Sequence, residues 1–294
     1  MAFNDSVMNR NTSNVLLPME VSSEIWSKTI EESAIMQLSR QISLPGAGME
    51  FQTITGEPEA DWVEELGSKP ISNHTLGTKQ MKGYTIAVIL PFSNQFRRDK
   101  EQLYQEMVSR APKAIGTKLD KTVFGGGKKP GELFDTMAGV TEVDITDGIW
   151  DGLVTADAAI AAADGILDGF AISPQFKSKL LTAKDAQGRP LYINSFTADS
   201  NVPNLMGHPT YVKKGVYQAT SNTDGKAQLG FAGDWTSAMY GVVEGITTSI
   251  SDQATLTIDG EQVDLWSHNM FAVRFEAEIG FRMKDDAHFV KFVG

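Results

Sequence analysis

The chain contains no cysteine. Disulfides, thiol nucleophiles and cysteine-ligated metals are thereby excluded, so stability must come from packing or from partners. No apolar run approaches the roughly 18 residues that span a bilayer. The N-terminus, MAFNDSVMNR, lacks the basic start and apolar stretch of a secretory signal. Ala2 stands where N-myristoylation needs glycine, and prenylation has no thiol to use. Positive charge is scarce: 26 Lys and Arg against 37 Asp and Glu give a net charge of −11. The only basic clusters along the sequence are the pairs Arg97-Arg98, Lys128-Lys129 and Lys213-Lys214. Sequence-specific DNA binding, which needs clustered cations, is not expected. An acidic wall that merely encloses DNA is compatible with this composition, and its charge favours solubility before assembly.

Catalytic constellations are equally scarce. The four histidines, His74, His208, His268 and His288, lie far apart, with no HExxH or His-x-His pair, so no metal site is expected. No GxSxG elbow appears, and no GxGxxG follows a predicted strand. GGGKKPG, Gly125 to Gly131, resembles a phosphate loop only superficially. A helix precedes it, and Lys129 occupies the place where Ser or Thr would hold magnesium. No cofactor is expected.

What the chain does have is 41% hydrophobic residues over 294, enough for a sizeable core. Residues 1–18 are polar and read as an extended arm. Pro18 opens a helix whose apolar stripe is Val21, Ile25 and Ile30, with Trp26 beside it. From 46 to 90 two strand-like stretches, Met49 to Ile54 and Lys79 to Leu90, flank a polar middle, predicting a long hairpin. A two-stranded ribbon alone is marginal in water, so it must lie on its own core or on a neighbour. Asp99 is placed to cap a long helix in which Leu103, Met107, Ala111, Ile115 and Leu119 recur every four residues. Pro112 inside that pattern predicts a bend or a break. Beyond Asp147 helices over Ile149–Asp164 and from Ser173 or Pro174 to about Ala183 alternate with a short strand, Gly169 to Ile172. Strand alternation dominates after Trp235.

The order of these features resembles the major capsid proteins of tailed phages, the Hong Kong ninety-seven-like capsid fold, over nearly the whole chain from about Leu16. The turn GGGKKPGEL partly matches that family's glycine turn after its spine helix. GFAISPQFKSKLLTAKDAQGRPLY, Gly169 to Tyr192, resembles its strand–Asn-Pro–helix–Leu-Lys-Asp-x-x-Gly-Arg run, with Ser173 in place of Asn. LMGHPTYV from Leu205, GFAGDWTSAMYGVVEGITTSIS from Gly230 and HNMFAVRFEAEIGFRMKDDAHFVKF from His268 follow the family's later segments in order.

The resemblance implies an α+β fold with an N-terminal arm and helix (1–45) and an extended loop (46–90). It further implies a peripheral lobe with the spine helix (91–146 and 237–294) and an axial lobe (147–236). It implies a structural subunit, not an enzyme, that self-assembles as hexamers and pentamers into an icosahedral shell around double-stranded DNA in the host bacterial cytoplasm. The expected partners are copies of itself, a portal, a decoration protein, and a separate scaffolding protein, since no long helical segment precedes the arm. Some relatives join a loop lysine to an asparagine of a neighbour with a glutamate as base; the matching positions here are Lys69, Asn269 and Glu276. Strand alternation sets Asn269 and Glu276 on opposite faces. An encapsulin-like compartment shell on the same fold, and an α/β enzyme without a recognised motif, are the competing readings.

Overall fold

The structure is a computed structural model describing residues 19–55, 62–63, 75–95, 100–146, 148–184, 204–219, 225–258 and 260–294. The helix predicted after Pro18 is α1 (Met19–Glu32), followed by a short α2 (Ala34–Leu38) and a strand β1 (Arg40–Ser43). Ser33 breaks the run between the helices: its hydroxyl accepts from the Met36 N–H and caps α2. Ile25 of α1 is fully buried, so this helix belongs to the core of its own chain.

The spine helix α3 (Lys100–Val123) buries Ala111, Ile115, Leu119 and Val123, the four-residue period read from the sequence. It runs unbroken through Pro112, so the expected break does not occur. The flanking Ala111 and Ile115 are locked in the main core, and that packing outweighs the lost hydrogen bond at the proline. Gly125 ends the helix at φ +82°, with its N–H donating to the Thr122 carbonyl. A Cβ there would lie 2.8 Å from that of Ala138, so the turn needs glycine twice over.

Two sheets organise the rest. The first has the order β1-β10-β13-β4, with β4 at Tyr84–Ser93, β10 at Ala238–Ser251 and β13 at Met270–Met283. β1 runs parallel to β10 and the other pairs are antiparallel. β4 alternates strictly between half-buried and exposed residues; Tyr84, Ile86 and Val88 turn together toward the core under α3.

The ribbon differs from its sequence expectation. β2 (Met49–Thr55) pairs with β3 (Thr75–Met81) from Met49↔Met81 to Thr55↔Thr75. The stretch from Lys79 to Leu90 is therefore not one strand: it divides at Lys82-Gly83 and its second half enters the four-stranded sheet. The apolar alternation changes phase there, from Met81 to Tyr84, Ile86 and Val88, and the reading as one strand passes over that break. Gly83 allows it, since a Cβ there would fall 2.5 Å from Val243 Cγ2 and 2.8 Å from Glu278 Cγ.

The second sheet has six strands in the order β5-β14-β9-β6-β8-β7. These are β5 (Thr141–Asp144), β14 (Phe289–Val293), β9 (Gln228–Gly233), β6 (Gly169–Ile172), β8 (His208–Val212) and β7 (Asn204–Leu205). The sequence expectation placed 141–144 and 289–293 with the peripheral segments; hydrogen bonding puts both in this sheet. β6, β9 and β14 are buried along their whole length because both faces are covered. Phe170, Ile172, Ala232, Val290 and Phe292 face a core shared with α4 (Ile149–Ala162) and α5 (Pro174–Thr182). Ala171, Phe231 and Phe289 face the other core, with α3 and Trp235. Ser173, which replaces the usual Asn, still caps α5, its hydroxyl accepting from the Phe176 N–H at 3.1 Å.

Candidate assembly surfaces

The ribbon springs from the end of β13, where its base is tied down by charge. Lys79 Nζ donates to the carbonyls of Met283 and Lys284 at 2.9 and 3.0 Å. Arg282 donates from Nε to the Gln80 carbonyl at 2.6 Å and from Nη1 to Asp135 at 2.5 Å. Asp135 also accepts the Met283 N–H at 3.1 Å, so one carboxylate from the loop after the spine holds both the strand and the arginine. Charge-assisted bonds of this kind fix geometry strongly when partly buried, as both side chains are here. At the far end Trp62 is fully exposed and Val63 is 41% exposed. The base is anchored on its own chain by these bonds.

Other apolar residues stand out from the cores. On α4, Trp150 and Val154 are about half exposed, one turn apart, on the side opposite the buried Leu153, Ala156 and Ile160. Ile166 follows that helix at 76% exposure. A second hairpin, β11 (Thr255–Ile258) with β12 (Glu261–Asp264), ends at Trp266, which is 75% exposed. Tryptophan is enriched among the residues that anchor interfaces between chains.

At the junction of arm and spine sits a carboxylate that sequence reading missed. Asp120 is fully buried on α3 and accepts from the Ser33 hydroxyl at 2.6 Å, the Ala34 N–H at 2.9 Å and the Ile35 N–H at 3.3 Å. Burial pushes its pKa up to about 6, opposed by those hydrogen bonds and by the charge of Lys213. The available signal was its place beside Leu119 in the buried phase of an amphipathic helix.

The three cross-link candidates fare unevenly. Lys69 lies outside the described residues. Asn269 takes a left-handed conformation, φ +54°, just before β13, and its amide oxygen accepts from Asn94 Nδ2 at 2.9 Å. Glu276 lies inside β13 and pairs with Arg274 at 3.2 Å. β13 pairs with β4 without a bulge from Met270 to Ile279. At about 3.3 Å per residue, the seven positions between Asn269 and Glu276 separate them by roughly 23 Å. One chain does not bring them together. Among the described residues no group of three or more His, Asp or Glu side chains gathers as a metal site.

Residues 13–294 match the Phage capsid family. The chain belongs to the phage capsid family. A probable major capsid protein of Mycobacterium phage L5 is 27% identical, over 94% of this chain and 88% of its own. The major capsid protein of Staphylococcus phage 80alpha is 24% identical over 98% and 88%. Among solved structures, a chain of Mycobacterium phage Ogopogo superposes with a TM-score of 0.72 at 18% identity, covering 89% of this chain and 92% of the other. One from Mycobacterium phage Bobi gives 0.70 at 23%, covering 89% and 90%. The capsid family fold expected from the ordered motifs is therefore the fold of this chain.

Proposed function

We propose that this protein is the major capsid protein of a tailed phage, assembling as hexamers and pentamers into an icosahedral shell that encloses double-stranded DNA. The observation that carries the reading is the match to the phage capsid family over residues 13–294. Physical support comes from the ribbon, held at its base by Arg282 and Lys79 while Trp62 stands fully exposed near its tip. A large apolar side chain exposed to this degree is a surface that another copy could cover. We assign the spine helix and four-stranded sheet to the peripheral lobe. Around α4, α5 and the six-stranded sheet lies the axial lobe, turned toward the capsomer centres. A separate scaffolding protein, a portal and a decoration protein complete the particle, built in the host bacterial cytoplasm.

The test is negative-stain imaging of two chains, the natural one and one in which an Asn-Gly turn replaces 56–74. Such a turn closes a two-residue hairpin between Thr55 and Thr75, which already pair. The expected result is shells from the natural chain, and a folded subunit without shells from the shortened one. A natural chain that yields only a small discrete oligomer would overturn the reading. Particles without nucleic acid, purified from phage-producing cells, would favour the protein compartment instead.

Covalent joining is a narrower part of the same reading. With Asn269 and Glu276 roughly 23 Å apart in one chain, the reaction would draw Lys69, Asn269 and Glu276 from different copies. The Lys69 amine, deprotonated with Glu276 as base, would attack the Asn269 carboxamide and release ammonia. Denaturing electrophoresis of mature particles decides it: a ladder above the 32.0 kDa monomer, lost in Lys69→Ala, supports the bond, and a single monomer band ends the idea.

A further inference from the structure

The spine helix carries a face that assembly of the shell leaves unexplained. Between Arg110 and Val123 its cations are Arg110, Lys113, Lys118 and Lys121, and its one acid is Asp120. All four cations are exposed, whereas Asp120 is buried. At 3.6 residues per turn, Arg110, Thr117 and Lys121 fall close to one line along the helix, with Lys113 and Lys118 to either side. Ala111, Ile115, Leu119 and Val123 occupy the opposite, buried face. The sequence showed only basic pairs; here helical periodicity brings together cations that are three to five residues apart. With Ala114 and Thr117 they line one open groove of about 540 Å³.

Five cations elsewhere, Lys28, Lys226, Arg274, Arg282 and Lys291, are paired with carboxylates. Lys113, Lys118 and Lys121 enter no ion pair among the described residues. An ordinary solvated helix face intersperses both signs. A single-sign strip in a chain of net charge −11 is complementary to a polyanion.

Two polyanions are at hand. One is the acidic stretch of another copy's ribbon, where Glu57, Glu59, Asp61, Glu64 and Glu65 surround Trp62 and Val63. That segment would need an apolar socket for its tryptophan, and the groove offers only the methyls of Ala114 and Thr117 and the aliphatic stems of its cations. The other is the phosphate backbone of DNA, which requires cations and no apolar floor. The strip is about 16 Å long at 1.5 Å per residue, with cations roughly 4.5 to 7.5 Å apart along the axis.

We propose that this face of the spine helix is a sequence-independent phosphate-contact strip for the enclosed DNA, touching about three phosphates per subunit. The proposal rests on the reading of the chain as a DNA-enclosing shell, and it puts this helix face on the inner side of the wall. Each contact is weak and salt-sensitive, and many identical subunits multiply it.

The experiment uses the full chain and the variant K113Q/K118Q/K121Q. All three lysines are exposed, so the variant keeps its fold, checked by circular dichroism and by particle formation in negative stain. Binding of each soluble protein to a labelled 30-base-pair duplex is measured by anisotropy across a salt series, with a peptide of residues 57–65 as a second probe. The expected result is duplex binding at low salt by the natural chain. In the variant it is about tenfold weaker or more, and the slope of log K against log salt is reduced by about 2 to 3. Equal slopes for the two proteins would overturn the proposal. So would binding of the peptide without binding of the duplex, which would give the strip to a second copy. Failure of the natural chain to form particles is a separate observation and would count against the shell reading instead.

Discussion

Trp235→Ala is expected to lower the stability of the subunit by about 4 kcal/mol, near the upper end of large-to-small core substitutions. Trp235 is 1% exposed and joins three parts of the molecule. Its ring meets Phe124 at the end of the spine edge-on at 6.4 Å and Phe289 of β14 at 5.3 Å. Its indole N–H donates to the Gly169 carbonyl at 3.0 Å, at the start of β6. Alanine would leave a cavity between the spine and the six-stranded sheet and an unpaired carbonyl inside it. Trp235→Phe keeps most ring contacts and should lose about half as much. Ile166→Ala, at a site 76% exposed, should change stability by less than about 0.5 kcal/mol. Urea denaturation measures all three; a Trp235→Ala midpoint equal to the natural one would show that the junction is not held by this side chain.

The second large effect depends on pH. Asp120→Ala removes the acceptor of two backbone N–H groups at the head of α2, and a buried unpaired donor costs about 1–3 kcal/mol. Part of that cost is offset because the substitution also removes a carboxylate that burial destabilises when charged. The native pKa is raised from 3.8 to about 6, foremost by desolvation. The folded state therefore binds a proton more tightly than the unfolded one between those values. Stability contributed by the natural residue falls as pH rises from about 4 to about 6 and is level above that, a change on the order of 3 kcal/mol at 1.36 kcal/mol per pKa unit. The substitution should accordingly cost about 2 kcal/mol at pH 7 and distinctly more at pH 4.5. Thermal unfolding of both proteins at the two pH values checks this. A penalty that is the same at both, or larger at pH 7, would show that the Asp120 carboxyl does not titrate in this window.

Much of the fold was legible because it rests on local patterns. The four-residue period through Ala111, Ile115 and Leu119 marked the spine, and Gly169 to Thr182 carried its strand, cap and helix in consecutive residues. Arrangements that depend on distant partners were not. Nothing in Phe289–Val293 announces that this strand pairs with both Thr141–Asp144 and Gln228–Gly233. Gly83 sits inside an apolar-rich run, and its close approach to Val243 and Glu278, distant in sequence, is what requires the chain to divide there. The carboxylate of Asp120 could be placed in the helix but not matched to Ser33, 87 positions earlier. Of the cross-link candidates, the spacing of Asn269 and Glu276 was visible as a number, and a regular strand turned that number into a separation.

β14 lies between β5 and β9 in the interior of the six-stranded sheet, yet its partners are far away along the chain. Val290 pairs with Thr141, 149 positions earlier, and with Ala232, 58 positions earlier. The sheet therefore closes only when distant segments meet, at the slow pace of long-range strand pairing. Until β14 docks, β9 keeps an unpaired edge and Trp235 lacks the Phe289 ring that packs against it. For a capsid subunit that step acts as inspection: a copy whose β14 has not docked offers the lattice an open sheet edge in place of a closed core.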